Sequence, residues 1–223
     1  MDERDQAVLL DQALKEMLVK ARLGLDAELQ QALSIVTARI HEARFADLMK
    51  ELAQARSRLA QLFENIGGVD GVMAKIRVYL GLQAHERRDI ILTAACYEQS
   101  FDGVNLRACV EALLTGSKTD RERAELMARW LAADETERVL TFESYAQAFL
   151  TAKLEARSAE KMATKAVKER LPSIIDHLVA EQARWLELHD KLCACMVAES
   201  TEALLILALH VLETYRHLKA QLA

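Results

Sequence analysis

One proline and seven glycines in 223 residues leave little turn chemistry, and aromatic side chains make up only 5% of the chain. With so few breakers and abundant alanine and leucine, the composition is that of a helix-rich protein, and no strand pattern can be read. No apolar run approaches the roughly 18 to 20 residues of a membrane span, and MDERDQAVLL lacks a signal-peptide pattern, so a soluble cytoplasmic protein is the expectation. Positive charge is not in excess either: the net charge is -5 and the pI near 5.8, which argues against nucleic-acid binding over the whole surface and leaves room for a local basic patch. The four cysteines, Cys96, Cys109, Cys193 and Cys195, match no zinc spacing, and the last two fall on different faces of a helix, so free buried thiols are expected. Six scattered histidines form no catalytic dyad; His177 and His189 are too far apart on a helix to share a ligand.

The stretch LLTGSKTDRERAELMARWL, residues 113–131, looks at first like the tail of a phosphate-binding loop. Such a loop needs a glycine immediately before the lysine and another six residues before it, so that successive N–H groups can face the phosphates. Those positions hold Ser117 and Ala112, and the preceding EALL continues a helical pattern where a buried strand should stand. A structural reading accounts for every residue: Gly116 in the left-handed conformation ends one helix, and Thr119 caps the next, with Glu122 completing a capping box.

Periodicity predicts about ten helices over the whole chain, residues 1–223, taken as one helical domain with lobes 1–66 plus 172–223 and 67–171. The first, about 2–22, carries Val8, Leu9, Ala13, Leu14, Met17 and Leu18 on one stripe and ends at Gly24. Asp26 caps a second through Ile40, and a third runs over about 43–64. ENIGGVDG is the clearest break, because three glycines within five residues do not sit cheaply in a helix. Shorter helices follow over about 70–80, 86–99, 104–115, 119–133 and 135–150, then a polar connection over 151–158 and a basic helix to Arg170. Pro172 suits the first turn of a last helix that can run to about Leu222, roughly 75 Å at 1.5 Å per residue, with a break near residues 199–202 as the alternative. No repeat of 30 to 45 residues is present.

Charge is unevenly placed. Residues 151–170 hold six basic and three acidic side chains, whereas 171–223 hold four basic and seven acidic. On a helix, Arg157, Lys161, Lys165 and Lys168 fall at i, i+4, i+8 and i+11, one stripe that can follow a phosphate backbone. Lys118 at a helix start adds a further cation where the dipole also favours an anion.

Four blocks extend this reading: DERDQAVLLDQA, GSKTDRERAELMARWLAAD, YAQAFLTAKLEARSAEKMATKAVKERLPSI and ALLILALHVLETYRHLKAQLA, in that order. Together they resemble the AddA subunits of the AddAB helicase–nucleases in their alphaproteobacterial form. In that family a similar DER segment follows the early helicase motifs, and a tail like AYEALKA leads into LDYDDLI. The resemblance spans essentially the whole chain and carries no catalytic signature. It implies a 1B subdomain of a UvrD/Rep-like superfamily 1 helicase, inserted in the first RecA-like domain of an enzyme of double-strand break repair and recombination. On this reading the segment has no catalytic, cofactor or metal residue. ATP and Mg belong to the flanking domains, and the nuclease motif lies near the parent's C-terminus. The implied partners are DNA, the flanking RecA-like domains and an AddB-like subunit, with no membrane. The residues implied to face DNA are Lys118, Lys153, Arg157, Lys161, Lys165 and Lys168. An insertion also brings its first and last helices together, with Val8, Leu9 and Leu14 meeting Leu212, Tyr215 and Leu218. The alternative is a free-standing helical interaction protein with the apolar run Leu204 to Leu212 as its interface; a helical enzyme is a third reading for which no base, nucleophile or ligand set can be assembled.

Overall fold

The computed structural model describes residues 3–151 and 153–222 and is all-α. Positions 1, 2, 152 and 223 lie outside the described residues, and with them the first residue of the helix predicted over 2–22 and one position of the 151–158 connection. Among the described residues there are eleven α-helices: α1 Glu3–Arg22, α2 Ala27–Thr37, α3 Glu42–Gln54, α4 Arg56–Ile66, α5 Gly68–Tyr79, α6 Arg88–Ala95, α7 Gly103–Leu113, α8 Lys118–Ala132, α9 Glu135–Ala146, α10 Lys165–Arg170 and α11 Ile174–Gln221. Two single 3-10 turns, Glu98–Ser100 and Ala159–Lys161, and one isolated antiparallel bridge, Leu150 to Ala156, complete the regular structure.

Several boundaries follow local chemistry. Asp26 caps α2 by accepting from the Leu29 N–H at 3.0 Å. Gly67 and Gly68, at φ 88° and 74°, occupy the left-handed region and let α4 stop and α5 begin without an intervening loop. The helix predicted over 43–64 is two helices meeting at Ala55, a join that no glycine or proline announces. The segment predicted as a helix over 86–99 is α6 followed by a 3-10 turn, and that over 135–150 stops at Ala146. Pro172 lies in the turn just before α11, whose 48 residues run without a break at 199–202.

The chain divides into two compact units, residues 1–85 with 194–223, and residues 86–193. The lobes expected at 1–66 plus 172–223 and at 67–171 differ from these units in two places: α5 belongs to the first unit, and α11 is shared, with residues 174–193 in the second unit and 194–221 in the first.

In the first unit, Leu9, Ala13, Met17 and Ala21 of α1 repeat every four residues, as do Ala203, Leu207, Val211 and Tyr215 of α11. These two stripes form one core with Leu29, Ala32 and Val36 of α2 and Met49 of α3. Leu9 therefore shares its core with Tyr215 and Leu218, and Leu14 lines a small cavity with Leu212, but Val8 is 62% exposed. Polar ties join α5 and the residues flanking α2 to α11: Arg77 pairs with Glu202 at 3.2 Å, Arg39 with Glu199 at 3.7 Å, and the Asp26 carboxylate lies 3.5 Å from His210 Nε2. In the run Leu204 to Leu212, expected to be exposed, Leu205, Leu207, Ala208, Val211 and Leu212 are buried and the other four residues are half-buried. α11 also contains a window of mean hydropathy 1.8 that meets the length and composition of a membrane span, contrary to the reading that no stretch approaches one; 39% of that window is buried within the protein.

The second unit holds both tryptophans, stacked in its core. Trp130 lies against Tyr145 at 4.1 Å between ring centroids, and Trp185 against Phe142 at 5.6 Å. Buried Arg138 and Glu181 bring charge into this core together with partners. Arg138 donates to the carbonyls of Trp130, Cys96 and Leu131 and to the Glu98 carboxylate, and buried Glu181 accepts from the Tyr145 hydroxyl at 2.8 Å and from Arg184.

Candidate nucleic-acid interface

The GSKT stretch is indeed a helix stop followed by a cap, with different residues in the roles. Gly116 is not left-handed. It is glycine because of crowding: a Cβ there would lie 2.4 Å from Asp120 Oδ2 and 2.6 Å from Val167 Cγ2. The cap of α8 is Ser117, not Thr119, and its reciprocal partner is Asp120, not Glu122. Ser117 Oγ accepts from the Asp120 N–H at 3.2 Å, and Asp120 Oδ2 accepts from the Ser117 N–H at 2.9 Å. Thr164 Oγ1 also donates to Asp120 Oδ2 at 2.7 Å, joining the chain just ahead of α10 to the start of α8. Burial alone would raise the Asp120 carboxyl; hydrogen bonds from Thr164 and Ser117 outweigh it and hold the group below the usual carboxylate range.

The basic segment is not one helix. After α9 the chain passes through the Leu150–Ala156 bridge, the left-handed Leu154 at φ 60° and the 3-10 turn, and regains an α-helix only at Lys165. Local bonds replace the helical ladder: the Thr151 N–H donates to the Glu155 carbonyl at 2.9 Å, and the Thr151 hydroxyl accepts from the N–H groups of Lys153 and Glu155. The i, i+4, i+8, i+11 stripe therefore fails as a description, because its spacing assumed a helix through 157–168. Apolar residues do recur there at helical spacing, and Met162, Ala163 and Val167 are buried, but the carbonyls of Arg157, Lys161 and Met162 accept from the buried side chains of Gln182 and Arg123.

Three of the predicted cations nonetheless converge. Lys161, Lys165 and Lys168 line an open depression of about 570 Å³ together with Ser117, Thr119, Asp120, Glu160, Ala163 and Thr164. Lys118, the first residue of α8, adjoins this lining in the chain. Lys165 and Lys118 each lie 3.8 Å from a glutamate one turn on, Glu169 and Glu122, in exposed pairs that salt and solvent screen. Lys168 Nζ donates to the Glu160 carbonyl at 3.1 Å. Lys153 stands on the exposed turn and is not part of the lining. Arg157 is half-buried, outside the lining, and its Nε is enclosed with no hydrogen-bond partner.

Residues that sequence reasoning passed over hold this surface in place. Arg123 is 5% exposed and donates from Nε to the Ala148 carbonyl at 2.8 Å, and from its other nitrogens to the carbonyls of Met162 and Lys161. Its guanidinium is held below its ordinary value by burial and by repulsion from Arg157, while Asp120, 3.8 Å away, works in the other direction. Gln182 of α11 donates to the carbonyls of Phe149 and Arg157 at 2.8 and 3.2 Å. The signal was present: Arg123 sits on the stripe of Ala124, Met127 and Trp130, and Gln182 on that of Leu178 and Trp185, polar residues on otherwise apolar faces.

Elsewhere, Cys96, Cys109 and Cys195 are buried, and burial pushes the Cys96 and Cys109 thiols up to about 11. Cys193 Sγ lies 3.6 Å from His189 Nε2, a contact of residues four apart that the histidine reading did not foresee. Among the described residues, no three His, Cys, Asp or Glu side chains are placed to hold one metal ion. No protein-family model, curated protein or solved structure matches the chain.

Proposed function

We propose that the chain is an accessory DNA-contacting domain, the 1B-like insertion of an ATP-dependent helicase–nuclease of the AddA kind that acts in double-strand break repair and recombination. The observation that carries the DNA-contacting part is the convergence of Lys161, Lys165 and Lys168 on one open depression at the start of α8. Such a surface neutralises phosphates without reading bases, so binding should be salt-dependent and nearly indifferent to sequence. Lys118 and the exposed Lys153 extend the set; Arg157 belongs to it only in part, since much of its side chain is enclosed.

The assignment to this enzyme class rests on the four sequence blocks. Packing of α1 against the second half of α11 supports an insertion, which must return the chain to where it left the host domain. In this reading the fragment contributes no reacting group. ATP and Mg act in the flanking RecA-like domains, which are its partners in the same chain, and an AddB-like subunit is its partner in trans. Two measurements test the proposal. An open reading frame that extends on both sides, with a P-loop upstream, is expected from the gene; a frame limited to this chain overturns the insertion. Charge reversal of Lys161 and Lys165 in the parent enzyme is expected to weaken duplex binding, and unchanged binding at low salt removes the patch from the argument.

A further inference from the structure

We infer that Arg123 and Gln182 are positioning residues for the basic surface, buried groups that fix the backbone from which Lys153, Arg157 and Lys161 project. The inference rests on the DNA-contacting reading above and gives that surface the framework it otherwise lacks. Among the described residues between the end of α9 and the start of α10, the helical structure is one 3-10 turn, so no helical repeat sets the spacing of these cations. Two side chains do it instead. Arg123 gathers the carbonyls of Ala148, Lys161 and Met162, near the two ends of the excursion, and Gln182 gathers those of Phe149 and Arg157 between them.

The chemistry at these positions is specific. Buried carbonyls need donors, and three of them around one point need a planar fork of N–H groups that a lysine ammonium does not reproduce. The charge is tolerated because Asp120 stands 3.8 Å away, and that carboxylate also holds Ser117 and Thr164 at the rim of the depression. One buried cluster thus sets both the loop that carries Lys161 and the helix start that faces it. When the carbonyls are released, every lysine remains, but each phosphate contact must then order a mobile backbone, which weakens binding.

The test compares the 223-residue chain with Arg123→Gln, Arg123→Lys, Gln182→Met and the double reversal Lys161→Glu/Lys165→Glu. Two quantities are read: affinity for a short fluorescent duplex as a function of salt, at a temperature where circular dichroism shows each variant folded, and amide exchange over residues 147–164. Arg123→Gln is expected to raise exchange in that segment at least about tenfold, and to shrink the slope of log affinity against log salt by about 1 to 2 although no surface charge has changed. Arg123→Lys should fall between it and wild type, and Gln182→Met should move both readouts in the same direction, which keeps the test available should Arg123→Gln not fold. A general loss of stability without repositioning leaves the salt slope at the wild-type value. If the lysine reversal weakens binding while folded Arg123→Gln or Gln182→Met keeps the wild-type slope and affinity, the positioning role is overturned and the DNA reading stands. If wild type and lysine reversal bind alike, or neither binds at low salt, the DNA reading falls and takes the positioning role with it.

Discussion

Replacing Asp120 with alanine tests the core of the structural account, because so much converges on one carboxylate. Asp120 is 3% exposed and its Oδ2 accepts from the Ser117 N–H, the Ser117 hydroxyl and the Thr164 hydroxyl at 2.7 to 2.9 Å. Loss of the cap alone costs about 1 kcal/mol, and each hydrogen bond to a charged acceptor contributes about 1.5 to 3 kcal/mol, with strong overlap between them. Arg123, itself buried, would also lose its nearest carboxylate, and breaking a buried pair from one side costs about 3 to 5 kcal/mol. A destabilisation of about 3 to 5 kcal/mol is therefore expected. Trp130 and Trp185 both lie in residues 86–193, so urea unfolding followed by tryptophan fluorescence reads that unit directly. The folded-state carboxyl is held below its ordinary value of 3.8, so the part of this stabilisation linked to its ionisation is complete above that value and is lost as pH falls through the lower folded-state value; the gap between wild type and variant should narrow in acid. A loss under about 1 kcal/mol at neutral pH would refute the reasoning, since no buried charge could then depend on Asp120.

Other outcomes follow from the same coordinates. Gly116→Ala should cost about 1 to 3 kcal/mol in urea, because its methyl meets Asp120 and Val167, whereas the strain at Gly81→Ala, at φ 70° with no atom within 4 Å, is about 1 to 2 kcal/mol from backbone conformation alone. Leu207→Ala empties a fully buried site among α1 and α2 and should cost about 2 to 5 kcal/mol, measured by loss of helical circular dichroism. The Tyr145 hydroxyl is pushed well above its usual value by burial and then by Glu181, so a spectrophotometric titration should leave Tyr145 protonated until the fold is lost. The proton held more tightly in the folded state makes that stability complete below the unfolded value and lost as pH rises above it. A disulfide exchange reagent should modify Cys193 first, with Cys96 and Cys109 protected until unfolding.

Where apolar residues recur at helical spacing, the sequence was enough. The Leu9, Ala13 and Met17 stripe of α1, the Asp26 cap and the break at Gly67 were legible, because periodicity and capping are local properties, although Val8, read with that stripe, is exposed. The join at Ala55 was not, since the hydrogen bonds from Ala55 to Glu51 and from Leu59 to Ala55 continue across it and neither breaker residue marks it. In the GSKT stretch the cap shifted by two residues for a tertiary reason. Asp120 carries no sequence signal that sets it apart in the first turn, yet Thr164, 44 residues away in sequence, and Arg123 both turn toward it. The basic segment was misread for the complementary reason. Charges at helical spacing do not make a helix when the carbonyls beneath them are already claimed by Arg123 and Gln182. Of the three lysines around the depression, Lys161 stands on backbone that Arg123 holds, whereas Lys165 and Lys168 stand on α10.

The central claim, that this depression and its neighbours hold DNA through phosphate, is tested most directly by anisotropy of a labelled duplex titrated with the chain between about 50 and about 200 mM salt. If Lys118, Lys153, Lys161, Lys165 and Lys168 each meet one phosphate, log affinity should fall with a slope of about -4.5 against log salt, a loss of roughly 500-fold over that range, and Lys161→Glu/Lys165→Glu should flatten the slope by about 1.8 or more. A wild-type chain that binds with no salt dependence, or with a slope that the double reversal leaves unchanged, contradicts the account.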